Sequence, residues 1–402
     1  MTISEHSIPV IKEVLVWARE YRGLSVPQAA EQLGITSAEL QLLEDGQRAV
    51  TASLLSRMVS AYRTSESLLL LPTPPAPTTL PTDYRTVGGA PATPSPDTIT
   101  AIRQAQEFQS FLSELLRDEP ELLPHFQLPT VERQSVTGED AAKTERERIG
   151  VTIEQQLQWL PIGTFNQWRF AIERQGIVVL VKKMPVADCR GFSLSDNNKV
   201  PVLVVNGTDF ERAQIFTLMH EYAHLLTRHP GVCVTADSNT SAGQTERWFN
   251  EFAAAFLIPQ AHLVEQVHRS YRYAGPDYEW PLAQIRSLAS KYRVSRAAMA
   301  LRLQTLKLAP PDYYDRHRVT LNYSEARPER DLNKPLKIKH PPGWKERQKI
   351  RELGVSGASA VIEAWRAQVT DTVDVAYALD LSLDEILGLE ERLEVERHRR
   401  TA

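Results

Sequence analysis

The stretch His220-Glu221-Tyr222-Ala223-His224 lies inside the apolar run from Ala213 to Leu226, and it decides how the rest of the chain is interpreted. Apolar residues on nearly every side of this run are typical of a helix buried in a core. Residues four apart share a helix face, so both imidazoles can bind one metal ion while Glu221 leans toward the same open coordination position. Polar side chains in such a helix are costly unless a metal or other partners satisfy them. The pattern favours the geometry of a metal-dependent hydrolase over a satisfied pair of core histidines.

A third metal ligand has to be found, because a catalytic zinc ion normally has three protein ligands. The metzincin spacing would place it at Pro230, which is no ligand, and His229 is out of register. An alanine-rich helix downstream offers Glu246, which shares a helix face with Asn250 four residues later. Glu246 would complete a His-His-Glu site, and Asn250 would orient one of the ligands by a hydrogen bond. Glu251, about 100° further round the helix than Asn250, is the competing carboxylate, and a solvated charge at the helix start is the alternative interpretation of Glu246.

Several separated stretches resemble the ImmA/IrrE family of metallo-endopeptidases, in the form fused to an N-terminal Xre-type helix-turn-helix domain. In chain order they are Leu80–Thr86, Val204–Asn206, Arg212–Glu221, Glu246–Pro259 and Lys291–Ser295. The resemblance implies that His220, His224 and Glu246 bind the metal and that Glu221 is the general base. It further implies one Zn²⁺ per chain, with Mn²⁺ as the other candidate. The implied activity is a limited, site-specific cut in a helix-turn-helix transcriptional repressor, which would derepress stress or mobile-element genes. Met219 and Phe249 stand where small residues are commoner in the family, a departure that touches packing more than chemistry.

The chemistry expected of such a site needs one more group. Zinc lowers the pKa of its bound water and polarises the scissile carbonyl, while Glu221 takes the proton and gives it to the leaving amine. A donor for the tetrahedral oxyanion is also expected. The candidates, which the sequence does not rank, are His229, Tyr271, Arg272 and Tyr273.

The patterning predicts an α+β chain, mostly helical, with a zincin-like peptidase core around a small β-sheet, an N-terminal helix-turn-helix bundle and a C-terminal helical region. The strands are predicted at residues 177–181, 191–194 and 200–205, immediately before the metal-binding helix, where an edge strand can pair with extended substrate. The predicted organisation is a helix-turn-helix domain over 1–71, a proline-rich linker over 72–97, a peptidase domain with an N-terminal helical part over 98–310, and a basic segment followed by helices over 311–402.

The predicted helix-turn-helix consists of a helix from Ser25 to Gly34, a turn at Ile35-Thr36 and a second helix capped by Ser37 and running to Glu44. It resembles Xre-type domains, and a generic helical hairpin is the alternative. Residues 1 to 70 carry six basic and eight acidic side chains. Since DNA affinity comes largely from neutralising phosphates, we predict that this domain docks protein or binds DNA only weakly.

Composition fits a cytoplasmic chain of two or three domains. The chain has 402 residues, 42% of them hydrophobic, and a net charge of −4 that gives no general indication of nucleic-acid binding. Its two cysteines, Cys189 and Cys233, form neither a zinc pair nor a disulfide framework, which suits a reducing compartment. We expect no signal peptide, and the apolar run Ser67–Leu71 is too short to span a bilayer.

One segment is strongly basic. Between Arg327 and Arg351 there are nine Lys or Arg against three acidic residues, within a stretch over 311–350 that we expect to be irregular. Such a segment can bind nucleic-acid phosphates and stack a base, although a solvated linker is the simpler interpretation. The candidate nucleic-acid contacts are Lys337, Lys339, Trp344, Lys345, Arg347 and Lys349. Residues 351–396 predict amphipathic helices without identifiable chemistry.

Two classes of function are therefore in competition. The first is a protease that cuts a specific regulator. The second is a DNA-binding regulator whose peptidase fold serves as sensor or scaffold. The intact set of His220, Glu221, His224 and Glu246 favours the protease, because a scaffold does not need all four side chains.

Overall fold

The computed structural model describes residues 7–62, 64–75, 94–123, 130–195, 199–228, 241–271, 273, 275–323 and 341–401. The chain divides into two compact units, one formed by residues 1–82 and 92–104, the other by 83–91 and 105–402. The first unit ends inside a long helix, at Gln104. Within that unit Arg22 is buried and donates to the Pro96 carbonyl and to the side chains of Asp97 and Thr100.

The N-terminal unit is a small bundle with the expected helix-turn-helix. Its elements are β1 (Ser7–Ile8), α1 (Lys12–Tyr21), α2 (Val26–Leu33), α3 (Ser37–Glu44), β2 (Val50–Thr51), α4 (Ala52–Tyr62), α5 (Glu66–Leu69) and the start of α6 (Pro96–Asp118). Ser25 caps α2 and Gly34 ends it in the left-handed conformation, as predicted. The cap of α3 was misassigned: Thr36 accepts from the Glu39 amide, and Ser37 is already helical.

The second unit contains the sheet and most of the helices. Its further elements are α7 (Gly138–Ile149), α8 (Ile153–Gln158), α9 (Thr164–Glu173), β3 (Val178–Lys182), β4 (Gly191–Leu194), β5 (Val202–Asn206), α10 (Glu211–Leu226), α11 (Ser241–Leu257), α12 (Gln260–Ser270), α13 (Leu282–Tyr292), α14 (Arg296–Thr305), α15 (Tyr313–Tyr323), α16 (Trp344–Arg366), α17 (Thr372–Leu379) and α18 (Leu383–Thr401). None of the helices in the described part of the chain combines the length and apolar character needed to cross a lipid bilayer.

The three strands of the second unit form one mixed sheet in the order β3-β5-β4. β3 is parallel to β5, with Val178 opposite Val202, and β4 is antiparallel to β5, with Gly191 opposite Val205. All five residues of the central strand β5 are buried, as expected of a strand covered on both faces. The predicted strands are confirmed, and the sheet leaves β4 at one edge.

Helix α10 packs on β4 and β5 and is buried from Ala213 to Leu226 except at Phe216. Helices α9 and α11 pack against it in turn. One continuous apolar core connects the inner faces of these helices, with Trp168, Tyr222, Phe249, Phe252 and Phe256 as its large members. The helix that carries the histidines is therefore held rigidly from several sides.

The C-terminal helices are attached to the sheet through α16, which packs on β3. Arg169 of α9 pairs with Glu173 at 3.0 Å and donates to the carbonyl of Arg351 at 2.7 Å. Gly354 interrupts α16 with a φ of 76°, and a Cβ there would lie 2.0 Å from Oε1 of Glu173. Only glycine fits this position, because both the space and the backbone exclude a side chain.

The ion pair between Lys182 of β3 and Glu352 of α16 adds to this attachment. Burial alone would raise the pKa of Glu352, but the charges of Lys182 and Lys349 outweigh it and lower this pKa below its ordinary value. A lowered carboxyl pKa contributes stability at neutral pH that is lost as the pH falls through the folded-state pKa. The contact of α16 with β3 is therefore expected to weaken in acid.

One expectation for the second unit needs correction. The segment 311–350 is not uniformly irregular, because α15 occupies Tyr313–Tyr323 and α16 begins at Trp344. Helices α13 and α14 are joined by a turn in which Arg293 has a φ of 60°.

Candidate metal centre

The two histidines of α10 face each other across one turn of the helix. Their Nε2 atoms are 3.3 Å apart, and both rings are buried, with 1% and 3% of His220 and His224 exposed. The ligand atoms of His220, Glu221 and His224 all lie within 4.8 Å of one another, an arrangement that can hold a metal ion. The apolar helix thus places three polar groups at one point, as the sequence predicted.

Helix α11 places Glu246 and Asn250 against the same point. The carboxylate of Glu246 lies 3.3 Å from Nε2 of His220 and 3.8 Å from Nε2 of His224. Asn250 Oδ1 is 3.1 Å from Nδ1 of His220, so this bond makes Nδ1 the protonated nitrogen and leaves the Nε2 lone pair for a metal. Phe249 covers the apolar side, its ring centroid 3.9 Å from that of His224.

The spacing of the three ligand atoms fits a tetrahedral zinc ion. Zinc bonds of about 2.0–2.2 Å in tetrahedral geometry place neighbouring ligand atoms about 3.3–3.6 Å apart. The distances among His220, His224 and Glu246 are 3.3, 3.3 and 3.8 Å. The competing carboxylate, Glu251, lies elsewhere: its Cβ is 3.0 Å from the position of a Cβ built on Gly138 of α7. Two neutral imidazoles and one carboxylate are also the donor set that suits zinc.

Glu221 lies on the side of α10 that contacts the edge strand β4. A Cβ built on Gly191 would meet Thr217 at 2.4 Å and Cγ of Glu221 at 3.3 Å, so glycine allows the strand to approach this helix closely. Cys189, just before β4, is fully buried and donates from its thiol to the Gly191 carbonyl at 3.0 Å. Burial, with the charge of Glu221, raises the pKa of Cys189, so its thiol stays protonated and is a poor metal ligand.

Asn206 at the end of β5 fixes the start of β4. Its side-chain amide donates to the carbonyls of Met184 and Cys189 at 3.0 and 2.8 Å, and its carbonyl accepts from the Thr208 amide at 2.9 Å. Asn206 is fully buried, so these bonds satisfy its polar atoms. They also tie the segment that precedes β4 to the end of β5. Through the position of β4, Asn206 helps to define the wall beside Glu221.

A buried polar network that the sequence did not predict holds α10 from the opposite side. Tyr222, inside the histidine motif, donates its hydroxyl to Glu145 Oε2 at 2.7 Å and accepts from Arg148 Nη2 at 2.7 Å. Arg148 also chelates the Glu145 carboxylate at 3.1 and 2.9 Å. Burial, reinforced by Glu145, raises the pKa of Tyr222 well above its ordinary value, so the phenol remains a donor. The only part of this network that the sequence indicates is the pair of Glu145 and Arg148, because residues three apart lie on one helix face.

Replacing Tyr222 by Phe is expected to lower the free energy of unfolding by about 2 kcal/mol, because a buried hydrogen bond to charged groups is lost. Chemical denaturation of the full chain would measure it. Tyr278→Phe is the matched control, since the Tyr278 hydroxyl is bonded to the neutral Gln284 at 3.1 Å and is only half-buried. Equal losses for the two variants would contradict a special role for the Tyr222 network.

Helix α7 holds α11 as well. The Trp248 indole donates to the Val136 carbonyl at 2.9 Å, next to the start of α7. A Cβ on Gly138 would lie 2.8 Å from backbone atoms of α11, so the two helices touch at backbone distance. Arg302 of α14 is bidentate to Glu139, at 2.6 and 2.7 Å. Both helices that carry the candidate ligands are therefore fixed by α7.

Two of the oxyanion candidates, Tyr271 and Tyr273, have no described contact with the histidines or Glu246. Both pack on Trp280, and the Tyr273 hydroxyl donates to the Lys307 carbonyl at 3.4 Å. His229 and Arg272, the other oxyanion candidates, lie outside the described residues, as does Pro230 of the metzincin register.

Three members of the proposed nucleic-acid set, Lys345, Arg347 and Lys349, are engaged within the protein. Lys345 pairs with Glu385 at 2.6 Å, and Lys349 pairs with Glu352 at 3.4 Å. Arg347 donates to the Pro342 carbonyl at 3.1 Å. Trp344 opens α16, and Lys337 and Lys339 lie outside the described residues. The described part of the basic segment thus presents less free positive charge than its sequence suggested.

The chain is mostly helical, with a helix-turn-helix unit first in the sequence and a candidate metal centre in the second unit. Residues 172–304 match the model of a peptidase family described as the IrrE N-terminal-like domain, and residues 13–71 match a model described as a helix-turn-helix domain. The resemblance inferred from the sequence is confirmed by these two matches. The first match indicates a metallopeptidase, and it includes His220, Glu221, His224 and Glu246. No curated protein and no solved structure gives a match to the chain.

Proposed function

We propose that the chain is a zinc-dependent endopeptidase that makes a limited, site-specific cut in a helix-turn-helix transcriptional repressor and so relieves repression of stress or mobile-element genes. The observation that carries the proposal is the convergence of His220, His224 and Glu246, with ligand atoms 3.3 to 3.8 Å apart, beside Glu221. The match to a peptidase family supports the reaction class. The resemblance of the sequence supports the choice of substrate.

His220, His224 and Glu246 would hold the zinc ion, and Glu221 would be the general base. When bound, the ion supplies a water of lowered pKa and polarises the scissile carbonyl. Glu221 then accepts the proton of the attacking water and returns it to the leaving amine. Asn250 keeps the His220 ring in the tautomer that presents Nε2. The apolar walls around the histidines exclude bulk water, which strengthens each of these electrostatic interactions.

Strand β4 is the proposed pairing edge for an extended stretch of substrate. It is an edge strand of the sheet within the described part of the chain, and it lies against Thr217 and Glu221 through Gly191. A peptide added to such an edge gains backbone hydrogen bonds without a requirement for particular side chains. We define the peptidase core as residues 98–310. Selection of the substrate must then come from the helical parts outside this core.

The test is cleavage of purified helix-turn-helix repressors encoded beside the gene of this protein, with zinc-loaded full chain and with Glu221→Gln. We expect one or two discrete products from one repressor and none from casein. Discrete cleavage that disappears in the variant supports the proposal. Broad digestion of casein by the wild type, absent in Glu221→Gln, would count against the limited specificity.

The alternative function, a DNA-binding regulator, is favoured by the helix-turn-helix match. The charges of the domain argue against strong binding. Arg48 is paired with Glu39 at 2.8 Å, and Arg57 donates to the Leu33 carbonyl at 2.6 Å, so a phosphate would have to compete with these partners. The exposed face of α3 offers Gln41 and Leu42 but no Lys or Arg. We therefore propose that this domain docks a protein.

In a fluorescence-anisotropy titration at physiological salt, the full chain is expected to bind duplex DNA no more tightly than about 10⁻⁶ M, the non-specific range, because few phosphates are neutralised. Arg48→Ala should change this affinity little. Nanomolar, sequence-specific binding that Arg48→Ala abolishes would overturn the docking role and favour the regulator.

A further inference from the structure

The C-terminal helices α17 and α18 repeat the layout of α2 and α3 without a gap. Both first helices have eight residues, Val26–Leu33 and Thr372–Leu379. Each is capped by a side chain that accepts from a backbone amide three residues on: Ser25 from Gln28, and Asp371 from Asp374. The two helix pairs therefore start in the same way.

The turns between the helices also agree. Gly34 and Asp380 end the first helices with φ values of 63° and 50°. The next backbone amide then donates five residues back, from Ile35 at 3.0 Å and from Leu381 at 3.1 Å. The second helices begin with the same cap, since Thr36 and Ser382 each donate a backbone amide to the glutamate three residues on, at 2.9 and 2.8 Å.

Burial follows the same register in both pairs. Equivalent positions are Leu33 and Leu379, Leu40 and Ile386, and Leu43 and Leu389, all with 2% or less of their surface exposed. The turn by itself is not diagnostic, because α13 and α14 share a left-handed residue followed by a serine cap. However, α13 has eleven residues, whereas α17 has eight residues, the same number as α2. The second helix, α18, follows the register of α3 and then continues beyond its length, to Thr401. The chain thus has a second helix-turn-helix fold, which lies outside both family matches.

The acidic residues of this second motif argue against a role in DNA binding for its first part, before the arginines at 397, 399 and 400. Residues 371 to 396 contain nine Asp or Glu and a single basic residue, Arg392. Of the acidic residues, Asp374, Asp384 and Glu391 are exposed and form no ion pair with described residues. Acidic side chains repel phosphates, so residues 371 to 396 contribute no favourable contacts to a nucleic-acid backbone.

The same surface is unusually apolar. Of the thirteen large hydrophobic side chains exposed in the described residues, five lie between Val373 and Val395. Val373 and Tyr377 share one face of α17, with 74% and 64% exposed, and Leu383 and Leu387 share one face of α18, with 50% and 44% exposed. A cluster of exposed apolar side chains that is bordered by charged residues is typical of a protein interaction site.

We propose that the exposed side chains Val373 and Tyr377 of α17 and Leu383 and Leu387 of α18 together form one face, and that this face is a docking surface for a basic amphipathic helix of a partner protein. The apolar side of such a helix would pack on these four side chains. Its Lys and Arg residues would meet the acidic residues beside them, which complements the charge and accelerates association. This inference does not depend on the proposed peptidase activity.

The test uses the full chain and a fluorescent peptide of about 18 residues made of Leu and Lys in amphipathic order, long enough to be helical. We expect saturable binding that Leu383→Ser combined with Leu387→Ser weakens at least tenfold. Val319→Ser is the matched control, because Val319 is 81% exposed on α15, outside this face, and its loss should leave the affinity unchanged. Thermal melting would check that each variant is folded.

A second variant, Asp384→Asn with Glu391→Gln, keeps the apolar side chains and should weaken binding while reducing its dependence on salt. A peptide of Leu and Glu in the same order should not bind. The proposal is overturned if the Leu/Lys peptide does not bind, if it binds both sets of variants like the wild type, if the Leu/Glu peptide binds as well, or if duplex DNA competes for this face.

Discussion

Replacing Glu221 by Gln is expected to lower kcat for repressor cleavage by about a thousandfold, within the range that general acid–base catalysis contributes. Gln has nearly the same shape but cannot accept the proton of the attacking water. Because Glu221 is fully buried beside Gly191, the isosteric amide should leave the packing of α10 on β4 unchanged. The rates would be measured under single-turnover conditions with equal zinc content in both proteins.

The control for this variant is Glu251→Gln. Glu251 lies on α11, on the side of that helix that packs against α7. Its kcat should stay within about threefold of wild type, as expected for a residue that does not contact the reacting atoms. If Glu221→Gln retained more than about a tenth of the wild-type kcat, Glu221 would not be the general base.

The second large effect concerns the metal. Glu246→Ala is expected to weaken zinc binding by more than about a hundredfold, since loss of an orienting residue alone costs about 10- to 100-fold and loss of a ligand costs more. Competition with a chelator of known affinity would measure this. Glu251→Ala, on the same helix, should keep wild-type affinity. Full zinc occupancy in Glu246→Ala would show that the third ligand has been assigned to the wrong residue.

Much of this site could be predicted from the sequence because its signals are local. The spacing of His220 and His224 fixes their position on one helix face, and the run around them requires burial. The position of Glu246 relative to Asn250 predicted that both would share a face, and both contact His220. In these cases helix geometry alone determines which side chains meet.

Interactions between distant segments could not be predicted in this way. The pairing of Tyr222 with Glu145 joins residues far apart in sequence, and neither residue type in its local context indicates the other. The same holds for Arg302 with Glu139 and for Arg169 with the carbonyl of Arg351. Such contacts depend on how helices pack, which periodicity does not specify.

The likeness of α17–α18 to the helix-turn-helix was missed for a different reason. Asp380 takes the left-handed position that Gly34 occupies in the first motif, and glycine is the usual signal for such a turn. The misassigned cap at Ser37 has a related cause, since Thr36 and Ser37 are both good N-cap residues and only the backbone distinguishes them.

The most direct test of the central claim is the zinc K-edge absorption spectrum of the purified full chain with one equivalent of zinc. We expect a first shell of nitrogen and oxygen atoms at about 2.0–2.2 Å, with the outer-shell signature of two imidazoles and no sulfur at about 2.3 Å. In Glu246→Ala the chain should either lose the metal or replace one protein ligand by water. A shell containing sulfur from Cys189 or Cys233, or a spectrum with fewer than two imidazoles, would contradict the assignment of His220, His224 and Glu246.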